Sequence, residues 1–387
     1  MMSLACRDAL EDWRIDLERL PATADYVAKV VRERYPRLNP PIHARWRHFV
    51  FGGRDLWQGI VESRTWPDRE ATARAAFDLV LISVLLDAGA GSAWRYRDAA
   101  TGLTAARSEG LALASLRWFE AGGLSDDRQD PLRVDAAALR RIDAAAIDAA
   151  FQVTEDNPLL GAAGRASLLN RLGRALHSRS DLFGSPNTAR PGGLFDALAR
   201  AGARPLPASV ILSTLLDGLG SIWENRPILS GVPLGDCWPH PAFTGDAPAQ
   251  GYVPLHKLSQ WLTYSLLEPL ENAGVAVCGT EELTGLAEYR NGGLFVDMGV
   301  LMPRDRGAPS RTYTVSDPFV VGWRSLTVAL LDWIAPLVRD RLGVDAASFP
   351  LPKVLEGGTW AAGRLIARDK RADGGPPFKI LSDGTVF

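Results

Sequence analysis

Apolar side chains recur at three- and four-residue spacing along most of this sequence, and that spacing limits the folds the chain can adopt. In the segment that begins at Lys257, for example, Leu258, Trp261 and Leu262 fall on one face of a helix. Strand-like alternation is confined to short runs such as 311–315. The sequence therefore predicts a mainly α fold, a single large helical globule with a few short strands.

No segment has the composition of a linker between domains, so we predict one α-helical domain over residues 1–387. Its predicted parts are an N-terminal helical part (1–130), a helical core with a central motif (131–342) and a Gly-rich C-terminal segment packed on that core (343–387).

Two segments of the core carry clear helix signals. Alanine dominates 135–151, which predicts one helix there because alanine is the best helix former. Asp317 is followed by a proline and by an apolar periodic segment, which predicts a long helix that runs to Gly343.

The charge balance excludes several classes of partner. The chain has 43 Lys and Arg against 45 Asp and Glu, a net charge of −2, which leaves no basic footprint for nucleic acid. No apolar run approaches the ~20 residues of a membrane span. These observations favour a cytoplasmic protein with a small-molecule substrate, no nucleic acid and no membrane partner. They do not indicate an oligomeric state.

Cysteine and histidine spacing predicts no metal, and the absence of a Walker lysine and of a dinucleotide fingerprint predicts no cofactor. The three cysteines are widely spaced and form no Cys-x-x-Cys pair, which fits a reducing cytoplasm. The five histidines show no His-Glu-x-x-His or comparable ligand spacing.

Lys257 and Glu288 are the two candidate catalytic residues. Lys257 begins the helix described above, and Glu288 precedes Tyr289, Arg290 and a Gly-Gly pair expected to end or bend the chain. A helix, a loop and a return would bring both charged side chains into one cleft. The alternative is a surface lysine and a glutamate paired with Arg290.

An apolar helix ends near Asp87, and the glycines that follow it allow the backbone to approach a ligand or another part of the chain closely. Trp94, a few residues later, offers a flat face on which a planar ligand could stack. A helix C-cap with core aromatics is the alternative. Another helix opens at Arg107 and Glu109, where the helix start would hold either an anion or simply a cap.

Three further segments are candidates for binding. A Pro- and Gly-rich loop presents Asp236, Trp238 and His240, either to a pocket or as a rigid surface connection. Residues 42–53 mix basic and aromatic side chains, in an anion-facing loop or an ordinary amphipathic segment. A phosphate site is predicted at a helix start, with a C-terminal cap over the core as the alternative, and its members are Gly357, Gly358, Thr359 and Arg364.

Several long motifs occur in the order found in one family, over nearly the whole chain. These motifs are LLDAGAGSAWRY, RSEGLALASL, IWENRPILSGVPLGDCWPHP, HKLSQWLTYSLLEPL, EYRNGGLFVDMGVL, EGGTWAAGR and the terminal SDGTVF. With them the chain resembles the uracil catabolism protein 4 family of fungi and bacteria. The resemblance implies a role in non-reductive breakdown of uracil, through UMP and ribosylurea-type intermediates toward urea.

The second half of the chain is also similar to the queuosine nucleotide N-glycosylase family, helical proteins akin to DNA glycosylases. Lys257 matches that family's lysine, and Glu288, before Tyr289 and Arg290, falls on its catalytic carboxylate. Glutamate replaces the family's aspartate, and Asn291 begins an Asn-Gly-Gly that stands where the family has Pro-Gln. The similarity implies a DNA-glycosylase-like helical architecture and an N-glycosidase reaction.

Together these observations predict hydrolysis of ribosylurea or its 5-phosphate with release of urea. Glu288 would stabilise positive charge on the ribose ring, and Lys257 would keep that carboxylate ionised. Tyr289 and Arg290 are predicted to bind substrate, and Asp87 or Asp236 to hydrogen-bond urea. The alternatives are a uracil- or UMP-binding or phosphoribosyltransferase-like protein, and a non-catalytic pathway scaffold.

Overall fold

Helices dominate the structure, a computed structural model that describes residues 1–202, 204–245, 247 and 249–381. The structure is about 52% helical, which confirms the predicted mainly α fold. The terminal SDGTVF motif lies outside the described residues. The α-helices of the described residues are α1 (Met2–Cys6), α2 (Leu20–Arg34), α3 (Leu56–Glu62), α4 (Arg69–Leu85), α5 (Arg107–Glu120), α6 (Ala136–Leu139), α7 (Ala144–Ala150), α8 (Ala162–Ser178), α9 (Ser180–Phe183), α10 (Gly193–Arg200), α11 (Ala208–Leu219), α12 (Lys257–Asn272), α13 (Tyr289–Asp297), α14 (Pro318–Leu342), α15 (Leu351–Val354) and α16 (Trp360–Lys370).

Strands are short, and within the described ranges they form only two-stranded sheets. The predicted strand within 311–315 is confirmed at Thr312–Thr314, which pairs in parallel with Lys379–Leu381 and so ties the C-terminal segment to the rest of the chain. In chain order the strands are β1 (Trp13–Ile15), β2 (Val50–Phe51), β3 (Arg54–Asp55), β4 (Tyr96–Arg97), β5 (Thr104–Ala105), β6 (Leu206–Pro207), β7 (Ile228–Leu229), β8 (Val232–Pro233), β9 (Cys237–Pro239), β10 (Tyr252–Pro254), β11 (Val277–Cys278), β12 (Leu301–Pro303), β13 (Thr312–Thr314) and β14 (Lys379–Leu381).

The longest helix, α14, begins and ends where the sequence predicts. The Asp317 side chain accepts a hydrogen bond from the Phe319 amide, and Gly343 adopts the left-handed conformation (φ 71°) that closes many helices. By length and composition α14 could also cross a membrane, but most of it is buried inside the protein, as is typical of a core helix.

One large cluster of buried apolar side chains extends from Ala5 to Phe378 and includes residues of α2, α4, α12 and α14. At the C-terminal end, a π-helical turn (Leu355–Thr359) joins α15 to α16 without a break. The turn and α16 pack against α2 and α13, and α15 packs against α14. This arrangement brings the C-terminal segment next to α13, the helix that follows Glu288.

Two local predictions are wrong for identifiable reasons. Residues 135–151 form two helices, because the Asp143 carboxylate accepts a hydrogen bond from the Ala146 amide and starts a new helix there. The second prediction concerns Gly292 and Gly293, which lie inside α13 instead of ending or bending the chain. A Cβ atom on Gly292 would lie 2.7 Å from Trp323 Nε1, so this glycine permits close packing of α13 on α14.

Candidate functional site

Three helices begin at the wall of one cavity of about 330 Å³. Arg107 is the first residue of α5, Lys257 is the first residue of α12, and Glu288 immediately precedes α13; all three line the cavity. The backbone N–H groups and the dipole at a helix N-terminus favour negative charge. The cavity therefore combines two candidate catalytic side chains with an environment suited to an anionic small molecule.

Glu288 is the N-cap of α13. Its carboxylate oxygens accept hydrogen bonds from the backbone amides of Arg290 (2.8 Å) and Asn291 (2.6 Å), which fix the side chain in one orientation. The residue is 9% exposed and lines the cavity. No salt bridge within the described residues joins Glu288 to the Arg290 side chain, so the alternative of a simple surface pair does not describe this glutamate.

Lys257 is half-buried, and no salt bridge or side-chain hydrogen bond involves its ammonium group among the residues that the structure describes. Burial lowers the pKa of Lys257, while the charges of Asp87 and Glu288 act in the opposite direction. A partly desolvated cation without a direct partner costs free energy, which a bound anion would offset.

Asp87 and the glycine-containing loop after it form another part of the wall. The fully buried Arg45 donates a hydrogen bond of 2.9 Å to the Asp87 carboxylate. Behind the loop, the buried Arg165 donates to the carbonyl oxygens of Leu86 (3.1 Å) and Ala88 (2.8 Å). Burial lowers the pKa of Arg165 to about 10. These two arginines hold the loop against the cavity.

Arg290 lines the cavity with a guanidinium that is open to a ligand. The residue is 5% exposed, and its guanidinium lies 5.0 Å from the Trp360 ring and 5.3 Å from the Tyr289 ring. Within the described chain it makes no salt bridge and no side-chain hydrogen bond. Tyr289 also lines the cavity. A guanidinium held on aromatic faces is well suited to bind a phosphate or a carboxylate in a bidentate manner.

Arg107 reaches from α5 to the C-terminal segment, where its guanidinium donates to the Asp373 carbonyl oxygen (3.0 Å). Its neighbour Glu109 is not a lining residue, because it forms an ion pair of 2.5 Å with Arg364. Burial alone would raise the pKa of Glu109, but the Arg364 charge brings it below its ordinary value. Glu109 and Arg364 thus lie beside the cavity and stabilise α5 against α16.

The predicted loop residues lie behind the site. Asp236 is buried, and its carboxylate accepts hydrogen bonds from Arg324 (2.8 and 2.7 Å) and from Trp238 Nε1 (2.8 Å). Burial would raise the pKa of Asp236, but Arg324 holds it well below its usual range. His240 is buried against Gly322 of α14, and burial lowers its pKa. None of these loop side chains is among the lining residues.

Two other predicted contacts are corrected by the structure. Trp94 is fully buried, and its indole N–H donates to the Phe151 carbonyl oxygen (2.9 Å), so it belongs to the core and offers no stacking face. The predicted phosphate turn is the π-helical turn within the α15–α16 helix. Gly357, Gly358 and Thr359 are buried there, and Cβ atoms on the two glycines would crowd Pro40 and Val27. Their position inside a helix leaves no free helix start for an anion.

A wall of aromatic and histidine side chains was not predicted. His43, His48, Trp261 and Trp360 line the cavity, and their neighbouring ring centroids are 5.7–6.2 Å apart. The mixture of basic and aromatic residues in 42–53 was the available signal, since an anion-facing loop was one interpretation of it. Among the described residues, no group of three His, Cys, Asp or Glu side chains is placed to hold a metal ion.

A family model described as "Protein of unknown function (DUF1688)" matches residues 1–387. The chain belongs to this family. Its relatives include Uracil catabolism protein 4 from Lachancea kluyveri, which is 38% identical over 409 residues, covering 97% of this chain and 92% of that protein. Protein urg3 from Schizosaccharomyces pombe is 38% identical over 390 residues, covering 98% and 93%. The resemblance to the uracil catabolism protein 4 family is confirmed.

Proposed function

We propose that this DUF1688 protein is an enzyme of uracil catabolism that hydrolyses the N-glycosidic bond of ribosylurea or ribosylurea 5-phosphate and releases urea. The name of the Lachancea kluyveri relative supports the pathway. The observation that carries the reaction type is the meeting of Glu288 and Lys257 on one cavity, at the starts of two helices.

Cleavage of an N-glycosidic bond builds positive charge on the ribose ring in the transition state. The Glu288 carboxylate is already oriented by two backbone amides, so it stabilises this charge without reorganisation during the reaction. Each carboxylate oxygen keeps a further lone pair, which can orient the attacking water. Lys257 adds a positive charge that interacts with the Glu288 carboxylate and attracts an anionic substrate.

The charges of the cavity favour the phosphorylated substrate. Arg290 and Lys257 have no carboxylate partner within the described residues, and α5 begins at the cavity without a side-chain cap. A phosphate group would supply the missing negative charge and accept hydrogen bonds from the Arg290 fork. Since the turn at Gly357 is closed within a helix, we assign the phosphate to Arg290.

The test is to incubate the purified protein with ribosylurea and with its 5-phosphate and to assay free urea and the released sugar. We expect equal amounts of urea and sugar, with a higher kcat/KM for the phosphorylated substrate. Calorimetric binding of uracil or UMP without any turnover of either ribosylurea would instead support a binding protein. Failure to bind or convert any of these compounds would support a scaffold.

A further inference from the structure

His43 and Glu356 form a buried carboxylate–histidine pair at the cavity. His43 Nδ1 lies 2.7 Å from Glu356 Oε2, and the two side chains are 4% and 7% exposed. The pair joins the segment before β2 to the turn between α15 and α16. The His43 backbone amide also donates to the Pro352 carbonyl oxygen (3.0 Å), so both main chain and side chain hold the imidazole in place.

The ring of His43 is oriented by its neighbours as well as by Glu356. Its centroid lies 6.0 Å from Trp261, with the planes 22° apart, and 5.7 Å from Trp360. All three rings line the cavity. The Glu356 carboxylate is hydrogen-bonded to Nδ1, and no hydrogen bond within the described residues involves Nε2. One ring nitrogen is therefore fixed by the carboxylate, and the other is left for a ligand.

The electrostatics of Glu356 differ from those expected for an isolated buried acid. Burial alone would raise the pKa of Glu356, but the hydrogen bond and charge of His43 bring it below its ordinary value. A carboxylate that is hydrogen-bonded to Nδ1 orients an imidazole and leaves the other ring nitrogen for proton transfer. Glu356 thus leaves Nε2 of His43 as the ring nitrogen available at the cavity.

The second histidine of the wall provides a contrast. His48 is also buried beside Trp261 and Trp360, but its Nδ1 has no partner in the described part of the chain. Burial and the nearby Arg45 charge lower the pKa of His48 to about 4, so it is neutral near pH 7. Only His43 of these two histidines combines a carboxylate partner with an open ring nitrogen.

We propose that His43, positioned by Glu356, is the general acid that protonates the leaving nitrogen when the N-glycosidic bond breaks. This proposal rests on the proposed function, and it adds a proton donor to the electrostatic roles assigned there to Glu288 and Lys257. The C1–N bond breaks with its electron pair on nitrogen, and the Nε2 proton of His43 passes to that nitrogen. A water oxygen bonds to C1, and its proton passes to Glu288. Glu288 then releases that proton to solvent, and solvent restores the proton of His43.

A general acid matters only for a leaving group that needs a proton. Urea leaves poorly as an anion, whereas 4-nitrophenolate leaves without protonation. We therefore compare urea release from ribosylurea and its 5-phosphate with cleavage of 4-nitrophenyl β-ribofuranoside and its 5-phosphate. The variants are His43→Ala, with and without added imidazole, and Glu356→Gln, with exposed His177→Gln as the control.

For His43→Ala we expect a loss in kcat of about 100-fold or more on ribosylurea, since general acid catalysis contributes on that order. The loss on the nitrophenyl riboside should stay below about tenfold, and imidazole should restore part of the urea release. Glu356→Gln keeps the shape of the side chain, and we expect the same selective loss from it. His177→Gln should match the unmodified enzyme.

Two outcomes would overturn the proposal. One is urea release by both variants within about threefold of the unmodified enzyme, far less than a general acid contributes. The other is an equal loss on both leaving groups with no response to imidazole, which would make the pair structural. If the unmodified protein releases no urea from either ribosylurea, the proposed function itself fails. If the unmodified enzyme releases urea and the His43 and Glu356 variants release it as fast, only this inference fails and the proposed function stands.

Discussion

The Asp236 carboxylate accepts a hydrogen bond from the backbone amide of Lys257 at 3.0 Å, so a buried acid behind the site fixes the start of the helix that carries the candidate catalytic lysine. The same carboxylate forms a bidentate ion pair with Arg324 of α14. A side chain predicted to touch substrate therefore acts through another residue, by holding α12 in position against α14.

Asp236→Asn should destabilise the protein strongly. It leaves Arg324 buried beside a neutral amide, and removing one partner of a buried pair costs about 3–5 kcal/mol. Because the pKa of Asp236 is held below its usual range, the stabilisation is present above the unfolded pKa and lost as pH falls through the folded one. Urea unfolding at pH 7 and in acid should show the difference between the two proteins shrinking in acid. A constant difference would contradict this account.

Arg290→Met should selectively weaken binding of the phosphorylated substrate. The guanidinium faces the cavity without a carboxylate partner in the described chain, so its loss removes the proposed phosphate contact. We expect KM for ribosylurea 5-phosphate to rise by roughly tenfold or more, in line with the strength of a charge-assisted hydrogen bond, and KM for ribosylurea to change little. Arg364→Met is the comparison, because Arg364 is paired with Glu109 and should affect both substrates equally. The reverse pattern would place the phosphate at Arg364.

Lys257→Met should lower turnover, and its effect should depend on Glu288. If Lys257 acts partly through the Glu288 carboxylate, combining Lys257→Met with Glu288→Gln should cost less than the sum of the two separate losses. The measurement is a double-mutant cycle on kcat/KM, with melting temperatures to check folding. Strictly additive losses would mean that the two residues act independently.

Gly363→Ala should disturb the end of α13 that begins at Glu288, through packing alone. A Cβ atom at this position would lie 2.1 Å from the Arg290 carbonyl oxygen, so α16 and α13 would have to separate next to Glu288. We expect a loss of stability of about 1–3 kcal/mol together with lower kcat. Gly59→Ala in α3 is the matched control, since a Cβ there meets nothing within 4 Å. It should be neutral or stabilising by up to about 1 kcal/mol. If the two variants had similar stability and similar kcat, the close packing of α13 on α16 would not be needed for either property.

The sequence predicts those features that depend on local chemistry. The cap at Asp317, the closing Gly343 and the apolar face after Lys257 are local signals, and the corresponding helices are present. Glu288 was singled out beside Tyr289 and Arg290, but its N-cap hydrogen bonds depend on where α13 begins. The Gly-Gly pair could signal either a chain end or close packing, and only the position of Trp323 decides between them.

Features that depend on distant contacts could not be predicted. His43 and Glu356 are 313 positions apart, and no periodicity relates them. The Gly-Gly-Thr sequence after Glu356 indicated an anion-binding helix start because its glycines can approach a ligand closely. In the structure their small size instead admits Pro40 and Val27. Trp94 has the same ambiguity, since a large aromatic side chain suits a binding wall and a core equally well.

The most direct test of the central claim is the rate of urea release from ribosylurea 5-phosphate by Glu288→Gln. Glutamine retains the shape of the side chain and can cap α13, but it carries no charge. We expect kcat to fall on the order of 100-fold or more while substrate binding survives, because a preorganised electrostatic group acts chiefly in the transition state. Asp143→Asn, at the cap of α7 and away from the lining residues, controls for the loss of a capping carboxylate. Unchanged turnover with a lower melting temperature would make Glu288 a helix cap only and would contradict the assignment of an N-glycosyl hydrolase.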